Sequence, residues 1–338
     1  MFIVRFTSGL GNQMFQYSFC EYLKNRYKDA RVLADLTWFY AYNDHHGYEL
    51  HRIFSKVKGS LFSLDEAGSL DIFKVTGTLP NICKPEDMIT GDIKKKGCSP
   101  EKSALFEKFR RYPNRILREI YKKKQSENII DQLNGNKCNY DVVKNGTDVY
   151  NELYEFIDSM DEKDDRYFTG FWIEERYYLP VLDKLRRSFV FPKLDEKNEK
   201  LSRRMMNENS VSIHVRRGDY LREYADSFKA LSREYYEVAV DKLSGSAGIS
   251  RDKMSFYIFS DDPLYMEREF SWLDNKTVVS GNEGNDSYKD MQLMSLCRHN
   301  IIANSTFSQW AALLNKNEGH ITIYPKAYLR DKDNEIKT

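Results

Sequence analysis

The chain of 338 residues lacks the features that mark several classes of protein. Its five cysteines are scattered and never form a C-x-x-C pair, which argues against a disulfide framework or a zinc site and favours a reducing compartment. The net charge is +1, so nothing attracts the whole protein to nucleic acid. The opening strand Phe2–Phe6 is too short and too charged for a signal peptide or a membrane anchor. These absences predict a cytoplasmic protein.

The chain also lacks a complete fingerprint for NAD or ATP. The turn Ser8–Gln13 contains Gly9 and Gly11, but no third glycine follows at the spacing of G-x-G-x-x-G, and there is no Walker lysine. The turn still allows a ligand to approach the backbone closely, with Asn12 as an amide hydrogen-bonding group and as the expected N-cap of the next helix. A purely structural turn is the alternative.

Two segments carry strong local charge. The segment Lys94–Lys124 contains twelve Lys or Arg and three Glu, whereas Glu152–Asp165 contains seven carboxylates and one lysine. The simplest interpretation is a pair of solvated faces that attract each other. The alternative is a peripheral contact of Lys94–Lys124 with the anionic inner face of a membrane.

Along the chain, segments whose apolar residues have the spacing of a β-strand alternate with segments whose apolar residues have the spacing of an α-helix. The N-terminal part reads as strand, glycine turn, helix and strand, and a proline with a run of charges at Phe191–Asp195 indicates a domain junction. Five more strands then alternate with helices up to Tyr324. We therefore expect two Rossmann-like α/β domains, residues 1–192 and 193–330, with a ligand cleft between them.

The strongest chemical motif is Ser212–Tyr220. Alternation places Ser212, His214 and Arg216 on one face of a strand, with Arg216 near its carboxyl end, where doubly wound sheets bind ligands. A guanidinium there can grip a diphosphate through two hydrogen bonds. The structural alternative is that the arginines pair with Asp219. We expect Arg217 to serve in that way and Arg216 to meet the ligand.

A second motif, Asn304–Trp310, ends one strand and begins a helix. The free N–H groups of that helix and the hydroxyls of Ser305 and Thr306 could bind an anion, although the same residues cap helices. A third, Phe259–Pro263, contains paired aspartates, but Asp262 before Pro263 is also an ordinary helix start and no metal site is expected. Asp290 is the carboxylate that we expect to accept two N–H bonds from a guanine edge.

Four segments, in this order along the chain, together resemble glycosyltransferase family 11, the α-1,2-fucosyltransferases, and above all its bacterial members: Phe6–Tyr17, His214–Tyr220, Phe259–Asp262 and Asn304–Phe307. The resemblance implies a GT-B type α/β fold, GDP-fucose as donor, inversion at the anomeric carbon and no required metal or other cofactor. It further implies transfer of L-fucose from GDP-β-L-fucose to the 2-OH of a terminal galactose on a glycan. Residues 1–192, with a helical and basic insertion, would be the acceptor side, and residues 193–330 would bind the GDP-sugar.

Carried over by position, the resemblance implies the following contacts. Arg216 would hold the β-phosphate, His214 would lie against the diphosphate or the ribose, and Asp290 would read guanine. The donor would also be bound by the remaining matched positions, which are Gly9, Gly11, Asn12, Asp262, Ser305 and Thr306.

Asp35 and Asp219 are both candidates for the general base that would deprotonate the acceptor hydroxyl. A dissociative mechanism would need little assistance from such a base. Three residues depart from the family pattern, namely Ser8 and Ser18, where Gly and Ala are expected, and Gln309 before Trp310 in place of an aromatic. The alternatives are an enzyme of the same fold that transfers another sugar or forms another linkage, and a non-catalytic glycan-binding protein. No nucleic-acid partner is expected.

Overall fold

The computed structural model describes residues 1–41, 46–55, 57, 64–76, 148–218, 230–325 and 336–337. Asp219 and the basic segment Lys94–Lys124 lie outside these residues, so the predictions that depend on them stay predictions. The chain divides into two compact units, Met1–Val190 and Phe191–Thr338. Among the described residues, no helix is both long and apolar enough to cross a membrane.

The N-terminal unit is built on a parallel sheet of order β3-β2-β1-β4. Its strands are β1 (Phe2–Arg5), β2 (Val32–Asp35), β3 (Asp65–Glu66) and β4 (Arg166–Phe168). Its helices are α1 (Leu10–Arg26), α2 (Thr37–Ala41), α3 (Leu50–Ile53), α4 (Ser69–Thr76), α5 (Asp148–Ser159), α6 (Glu175–Tyr178) and α7 (Leu182–Ser188), and a 3-10 turn at Leu179–Val181 joins the last two.

The C-terminal unit has a sheet of order β10-β9-β8-β5-β6-β7, in which only β10 is antiparallel among the described strands. Its strands are β5 (Ser210–Val215), β6 (Ser255–Ser260), β7 (Lys276–Val279), β8 (His299–Ile301), β9 (Thr322–Pro325) and β10 (Ile336–Lys337). Its helices are α8 (Glu196–Asn207), α9 (Arg233–Ala247), α10 (Pro263–Glu269), α11 (Tyr288–Leu296) and α12 (Thr306–Leu314), with 3-10 turns at Arg251–Lys253 and Gly284–Asp286.

Both sheets contain a point where the strand order reverses. In the N-terminal unit the chain runs from β1 outward through β2 to β3, and β4 then joins the other side of β1. In the C-terminal unit it runs from β5 through β6 to β7, and β8 then joins the other side of β5. Crevices open at the carboxyl ends of the strands on either side of such a switch point, which is where open α/β sheets bind ligands.

The alternation predicted for β5 is confirmed. Val211, Ile213 and Val215 lie in one apolar cluster, which also contains residues of α9 and α10 and buries them almost completely. On the opposite face Ser212 accepts a hydrogen bond of 2.7 Å from the Nδ2 of Asn300 on β8. Because the polar face is buried as well, its groups must be hydrogen-bonded within the protein or to a ligand.

The predicted α/β class, with a largely parallel sheet in each of two Rossmann-like units, is confirmed. The prediction that Asn12 caps the first helix is wrong. Helix α1 begins at Leu10 and its N-cap is Gly9, three residues before Asn12. Ser8 has a φ of 65° just before this cap, which turns the chain sharply into the helix and leaves Asn12 inside the first turn.

Candidate functional site

The two predicted phosphate-binding segments flank the switch point of the C-terminal sheet. Arg216 follows β5 immediately, and Ser305 is the N-cap of α12, which follows β8. Ser305 makes no hydrogen bond to its own helix through its side chain, although Ser and Thr at this position usually do. The free N–H groups at the start of α12 therefore lie beside the strand end that carries a guanidinium, an arrangement suited to an anion.

His214 connects these two segments. Its ring lies 5.8 Å, between centroids, from the ring of Phe307 in the first turn of α12. Burial, reinforced by the charge of Arg216, lowers the pKa of His214 to about 3, so the imidazole is neutral at physiological pH. Its Nδ1 is buried without a hydrogen-bond partner. A neutral imidazole with an unused ring nitrogen can serve a ligand as donor or acceptor, but it adds no positive charge.

Asp261 organises the turn after β5. Its carboxylate accepts the backbone N–H groups of Arg217 and Gly218, both at 3.0 Å, and its Oδ2 lies 3.5 Å from the Nε of Arg216. The register between β5 and β6 explains this role. Val215 pairs with Ser260, so the residues that follow them, Arg216 and Asp261, are neighbours. Asp261 thus holds both the guanidinium and the backbone of the predicted site, a role that its position in the sequence did not predict.

Arg217 differs from Arg216 in its surroundings. Its Nε lies 3.5 Å from Asp262, and its guanidinium lies 3.6 Å above the ring of Tyr265. Asp262 also caps α10 by accepting the N–H of Tyr265 at 3.3 Å. Asp219 lies outside the described residues, so the predicted pairing of Arg217 with Asp219 stays a prediction beside the observed contact with Asp262. A role of Asp262 in donor binding also stays a prediction.

Asp290 lies in the first turn of α11, which follows β7, at the same carboxyl edge of the sheet. Its Oδ1 accepts a hydrogen bond of 2.7 Å from Asn282, and Asn282 is itself bonded in both directions to Asn198 of α8. Burial raises the pKa of Asp290 to about 7, because the Asn282 bond and the charge of Lys197 offset only part of the desolvation. The neutral amides fix the carboxylate but leave it easy to protonate.

At the carboxyl edge of the N-terminal sheet, neutral side chains hold the backbone in place. The turn after β1 is fixed by two buried glutamines of α1, Gln13 and Gln16. Gln13 donates to the carbonyl oxygens of Ser8 and Gly47, both at 2.8 Å. The side chain of Asn12 is half-buried and makes no hydrogen bond to the described part of the chain, so it is the amide of this turn that a ligand could use.

Asp35, one of the two candidate bases, ends β2 and is buried. Its Oδ1 accepts the N–H of Thr37 at 2.8 Å, at the start of α2, and its Oδ2 accepts the hydroxyl of Tyr167 on β4. Burial and the Asp35 charge raise the pKa of Tyr167 well above its usual value, so that hydroxyl remains a donor. Both oxygens of Asp35 are therefore engaged by its own domain.

Comparison with known proteins gives a family match over most of the chain. The family model of glycosyl transferase family 11 matches residues 107–337. The chain belongs to this family. It is therefore an enzyme that transfers glycosyl groups, and the resemblance stated from four short segments is confirmed.

Relatives of this family 11 glycosyltransferase act on different sugars. The chain is 28% identical over 327 residues to the O-antigen biosynthesis glycosyltransferase WbnK of Escherichia coli, covering 95% of this chain and 93% of WbnK. It is 34% identical to an α-1,2-colitosyltransferase of the same organism over 49% of this chain and 57% of that protein. NodZ, an α-1,6-fucosyltransferase from Bradyrhizobium co-crystallised with GDP, aligns with 99% of this chain and 97% of its own at 13% identity and a TM-score of 0.48.

Within the described residues of the family 11 enzyme, no group of three or more His, Cys, Asp or Glu side chains could hold a metal ion. The predicted donor residues His214, Arg216, Ser305 and Asp290 lie at one edge of the C-terminal sheet, whereas Gly9, Gly11, Asn12 and Asp35 lie in the N-terminal unit. Their roles stay predictions.

Proposed function

We propose that this enzyme moves L-fucose from GDP-β-L-fucose to the 2-OH of a terminal galactose on a glycan, with inversion and without a metal. The observation that carries the proposal is the position of Arg216 and of the α12 N-terminus on either side of the C-terminal switch point. Membership of glycosyl transferase family 11 supports the reaction type.

The C-terminal unit is the part that we assign to the donor. Arg216 would grip the β-phosphate, with Asp261 holding its guanidinium in place, and the α12 N-terminus with Ser305 and Thr306 would bind the other phosphate oxygens. The carboxyl end of β7 is two strands from β5, about 10 Å away. That separation suits an extended nucleotide, whose base would reach Asp290 while its diphosphate lies at the switch point.

The chemistry needs positive charge at the leaving group. As the bond between fucose C1 and the β-phosphate oxygen breaks, negative charge grows on GDP and the sugar becomes oxocarbenium-like. Arg216 and the aligned N–H groups of α12 would stabilise that charge in the transition state, which is the task that a metal performs in other transferases. His214, neutral because of burial, would bind the diphosphate or ribose through a hydrogen bond.

The sugar and acceptor are inferred from the relatives' names. Several relatives are named galactoside α-1,2-fucosyltransferases, among them a bovine protein that is 33% identical over 35% of this chain. WbnK, matched over nearly the whole chain, is named for O-antigen biosynthesis, which supports a bacterial polysaccharide precursor as the acceptor. The colitosyltransferase favours a second candidate donor, an activated colitose, on the same site.

The test is GDP release from GDP-fucose in the presence of EDTA, with lactose or N-acetyllactosamine as acceptor. Acceptor-stimulated release, abolished in Arg216→Ala, is the expected result, and NMR of the product should show a fucose linked to the 2-position of galactose. If GDP binds but no acceptor stimulates release, GDP-fucose is the wrong donor, and activated colitose is tested next. Transfer that requires a divalent metal would contradict the metal-independent mechanism.

A further inference from the structure

Two buried asparagines connect α8, the loop after β7 and α11 at the carboxyl edge of the C-terminal sheet. Asn282 is the third residue after β7. Asn198 and Asp290 lie in the first turns of α8 and α11, and the carboxyl ends of these helices lead into the amino ends of β5 and β8. The amino ends of both helices therefore lie at the same edge as the loop, in agreement with the hydrogen bonds between the three side chains.

The hydrogen bonds of this group run in one direction, from the amides to a carboxylate at each end. The Nδ2 of Asn198 donates to Asp195 and to the Oδ1 of Asn282, both at 2.9 Å. The Nδ2 of Asn282 donates to the Oδ1 of Asp290 at 2.7 Å and to the Oδ1 of Asn198 at 3.2 Å. Because a carboxylate can only accept, the two carboxylates fix which way each amide faces. Both N–H groups of Asn282 are therefore committed within the protein.

The loop that carries Asn282 is held closely against α8. The Nζ of Lys197 donates to the carbonyl oxygen of Ser280 at 2.8 Å. Gly281 has a φ of 84°, and a Cβ at this position would lie 2.8 Å from the same Nζ. Only glycine allows this approach without strain. Since Asn282 is also buried, the loop and its amide are in place before any ligand binds.

Asp290 presents to a ligand an edge that only accepts hydrogen bonds. Its Oδ1 receives one bond from Asn282, and its Oδ2 receives none from the described residues. The guanine edge offers two adjacent donors, N1–H and N2–H, which match the two oxygens of a carboxylate. Adenine offers one donor, the 6-amino group, beside the acceptor N1, which a carboxylate would repel. Selectivity for guanine therefore requires Asp290 to be both correctly aimed and ionised.

Asn282 serves both requirements. Its bond fixes the position of one carboxylate oxygen of Asp290. Burial raises the pKa of Asp290 to about 7, and the bond from Asn282 and the charge of Lys197 oppose that rise. Loss of the Asn282 amide would therefore favour the protonated form of Asp290, in which one oxygen becomes a donor.

The remaining charged side chains described near Asp290 are paired or exposed. Lys289, the residue before it, lies 2.9 Å from Asp195 of the α8 N-cap and 3.0 Å from Asp286 of the 3-10 turn. Glu283 of the loop is exposed. The hydrogen bond that fixes the Asp290 carboxylate thus comes from a neutral amide.

We propose that Asn282, supported by Asn198, is the positioning residue that makes Asp290 select guanine over adenine in the donor nucleotide. This inference rests on the proposed function, in which Asp290 reads the base. Asn282 itself does not touch the nucleotide, because its amide hydrogens are used within the protein.

The test measures the affinities of GDP, IDP and ADP by isothermal titration at pH 8.5. Wild type should bind GDP about 100-fold or more tightly than ADP, and about 10-fold more tightly than IDP, which lacks the 2-amino group. Asn282→Ala should weaken GDP binding by about 10-fold and bring the ratio of GDP to IDP affinity close to one. Its ADP affinity should stay within a few-fold of wild type, since the phosphate contacts remain.

Asn315→Ala is the matched control. Asn315 is also buried in the C-terminal unit, and its Nδ2 donates to the carbonyl oxygen of Cys297 and to the Oδ1 of Asn300, both at 2.8 Å. It follows α12 at the opposite end of that helix from the proposed phosphate site. Both variants should lower the midpoint of urea unfolding, but Asn315→Ala should keep the wild-type affinity ratios.

The pH dependence gives a second readout. The ratio of GDP to ADP affinity cancels the titration of the phosphates that the two nucleotides share. In wild type this ratio should fall as the pH drops through about 7, because protonation removes an acceptor from Asp290. In Asn282→Ala any preference that remains should be lost at a higher pH, since the pKa of Asp290 rises.

The outcomes separate this inference from the function beneath it. If wild type prefers GDP and Asn282→Ala keeps the wild-type ratios, Asn282 does not position the base reader and the donor assignment stands. If Asn282→Ala weakens all three nucleotides equally, its role is structural and the inference is wrong. If wild type binds ADP as tightly as GDP, the proposed donor fails and takes this inference with it. If Asn282→Ala does not fold, Asn198→Ala decides: a wild-type preference for GDP would overturn the proposal.

Discussion

The two units share a sheet topology but use different chemistry at their switch points. In the C-terminal unit the edge carries charged pairs that are partly exposed, Arg216 with Asp261 and Arg217 with Asp262. In the N-terminal unit the edge is fixed by the buried neutral amides of Gln13 and Gln16.

The difference affects how each edge can respond to a ligand. An edge whose cation lies 3.5 Å from a partly exposed carboxylate can turn that cation toward an incoming diphosphate at modest cost. An edge whose backbone is bonded to buried amides resists movement, because breaking those bonds would leave buried polar groups without partners. The same fold can therefore carry an adjustable charged edge in one unit and a rigid neutral edge in the other.

The largest expected effect separates the two adjacent arginines. Arg216→Ala should lower kcat/KM by about 100-fold or more, since it removes a group that stabilises charge in the transition state. Arg217→Ala should change kcat/KM only several-fold and cost about 1 kcal/mol of stability, because it loses an ion pair and the stacking on Tyr265. Steady-state kinetics and urea unfolding measure both. Equal losses of activity in the two variants would contradict the different roles assigned to Arg216 and Arg217.

The second prediction concerns how rigidly the N-terminal edge is held. Gln16→Leu leaves the N–H of Thr7 and the carbonyl of Gly170 without their partner and should lower the free energy of unfolding by about 3 kcal/mol. Gln292→Leu is the matched change in the C-terminal unit, where one exposed bond to Pro192 is lost, and should cost about 1 kcal/mol or less. Urea denaturation measures both variants. Similar losses would show that the N-terminal edge does not depend on this amide.

The third prediction concerns Asp290. Because burial raises its pKa in the folded state to about 7, the folded protein keeps a proton that the unfolded chain releases near pH 4, and stability falls as the pH rises between these values. Asp290→Asn removes this loss, so the variant should match wild type at pH 4 and exceed it at pH 8 by about 1 to 2 kcal/mol, allowing for partial solvent screening. Thermal unfolding at both pH values measures it.

The exposed Asp286, paired with Lys289 at 3.0 Å, gives the control for that experiment. Asp286→Asn should bring no gain at pH 8. If Asp290 also reads guanine, Asp290→Asn should weaken GDP binding while it stabilises the free protein, and isothermal titration would detect the loss. A variant that gains stability and binds GDP as wild type does would leave the fold argument intact and remove Asp290 from the donor site.

Local patterns predicted the elements of the C-terminal unit, because the alternation of Val211, Ile213 and Val215 is a property of consecutive residues. They could not predict that Asp261, rather than Asp262, holds Arg216, since that depends on the register between β5 and β6. The bond from Gln16 to the carbonyl of Gly170 was missed for the same reason at longer range. It forms only when β4 pairs with β1, more than 160 residues earlier in the chain.

The smallest expected effect tests strain in the glycine turn. Ser8 has a φ of 65° where the family resemblance leads us to expect glycine, and this conformation costs an L residue about 1 kcal/mol or more. Ser8→Gly should therefore raise stability by about 0.5 kcal/mol, because the larger conformational freedom of unfolded glycine offsets part of the relief. Asn275, at a φ of 54° in the C-terminal unit, is the matched control: asparagine tolerates this region, and Asn275→Gly also loses a bond of 2.9 Å to Asp252. Urea denaturation should thus show a gain at the first position and a loss at the second, whereas a loss at both would mean that the Ser8 side chain contributes more than its backbone strain costs.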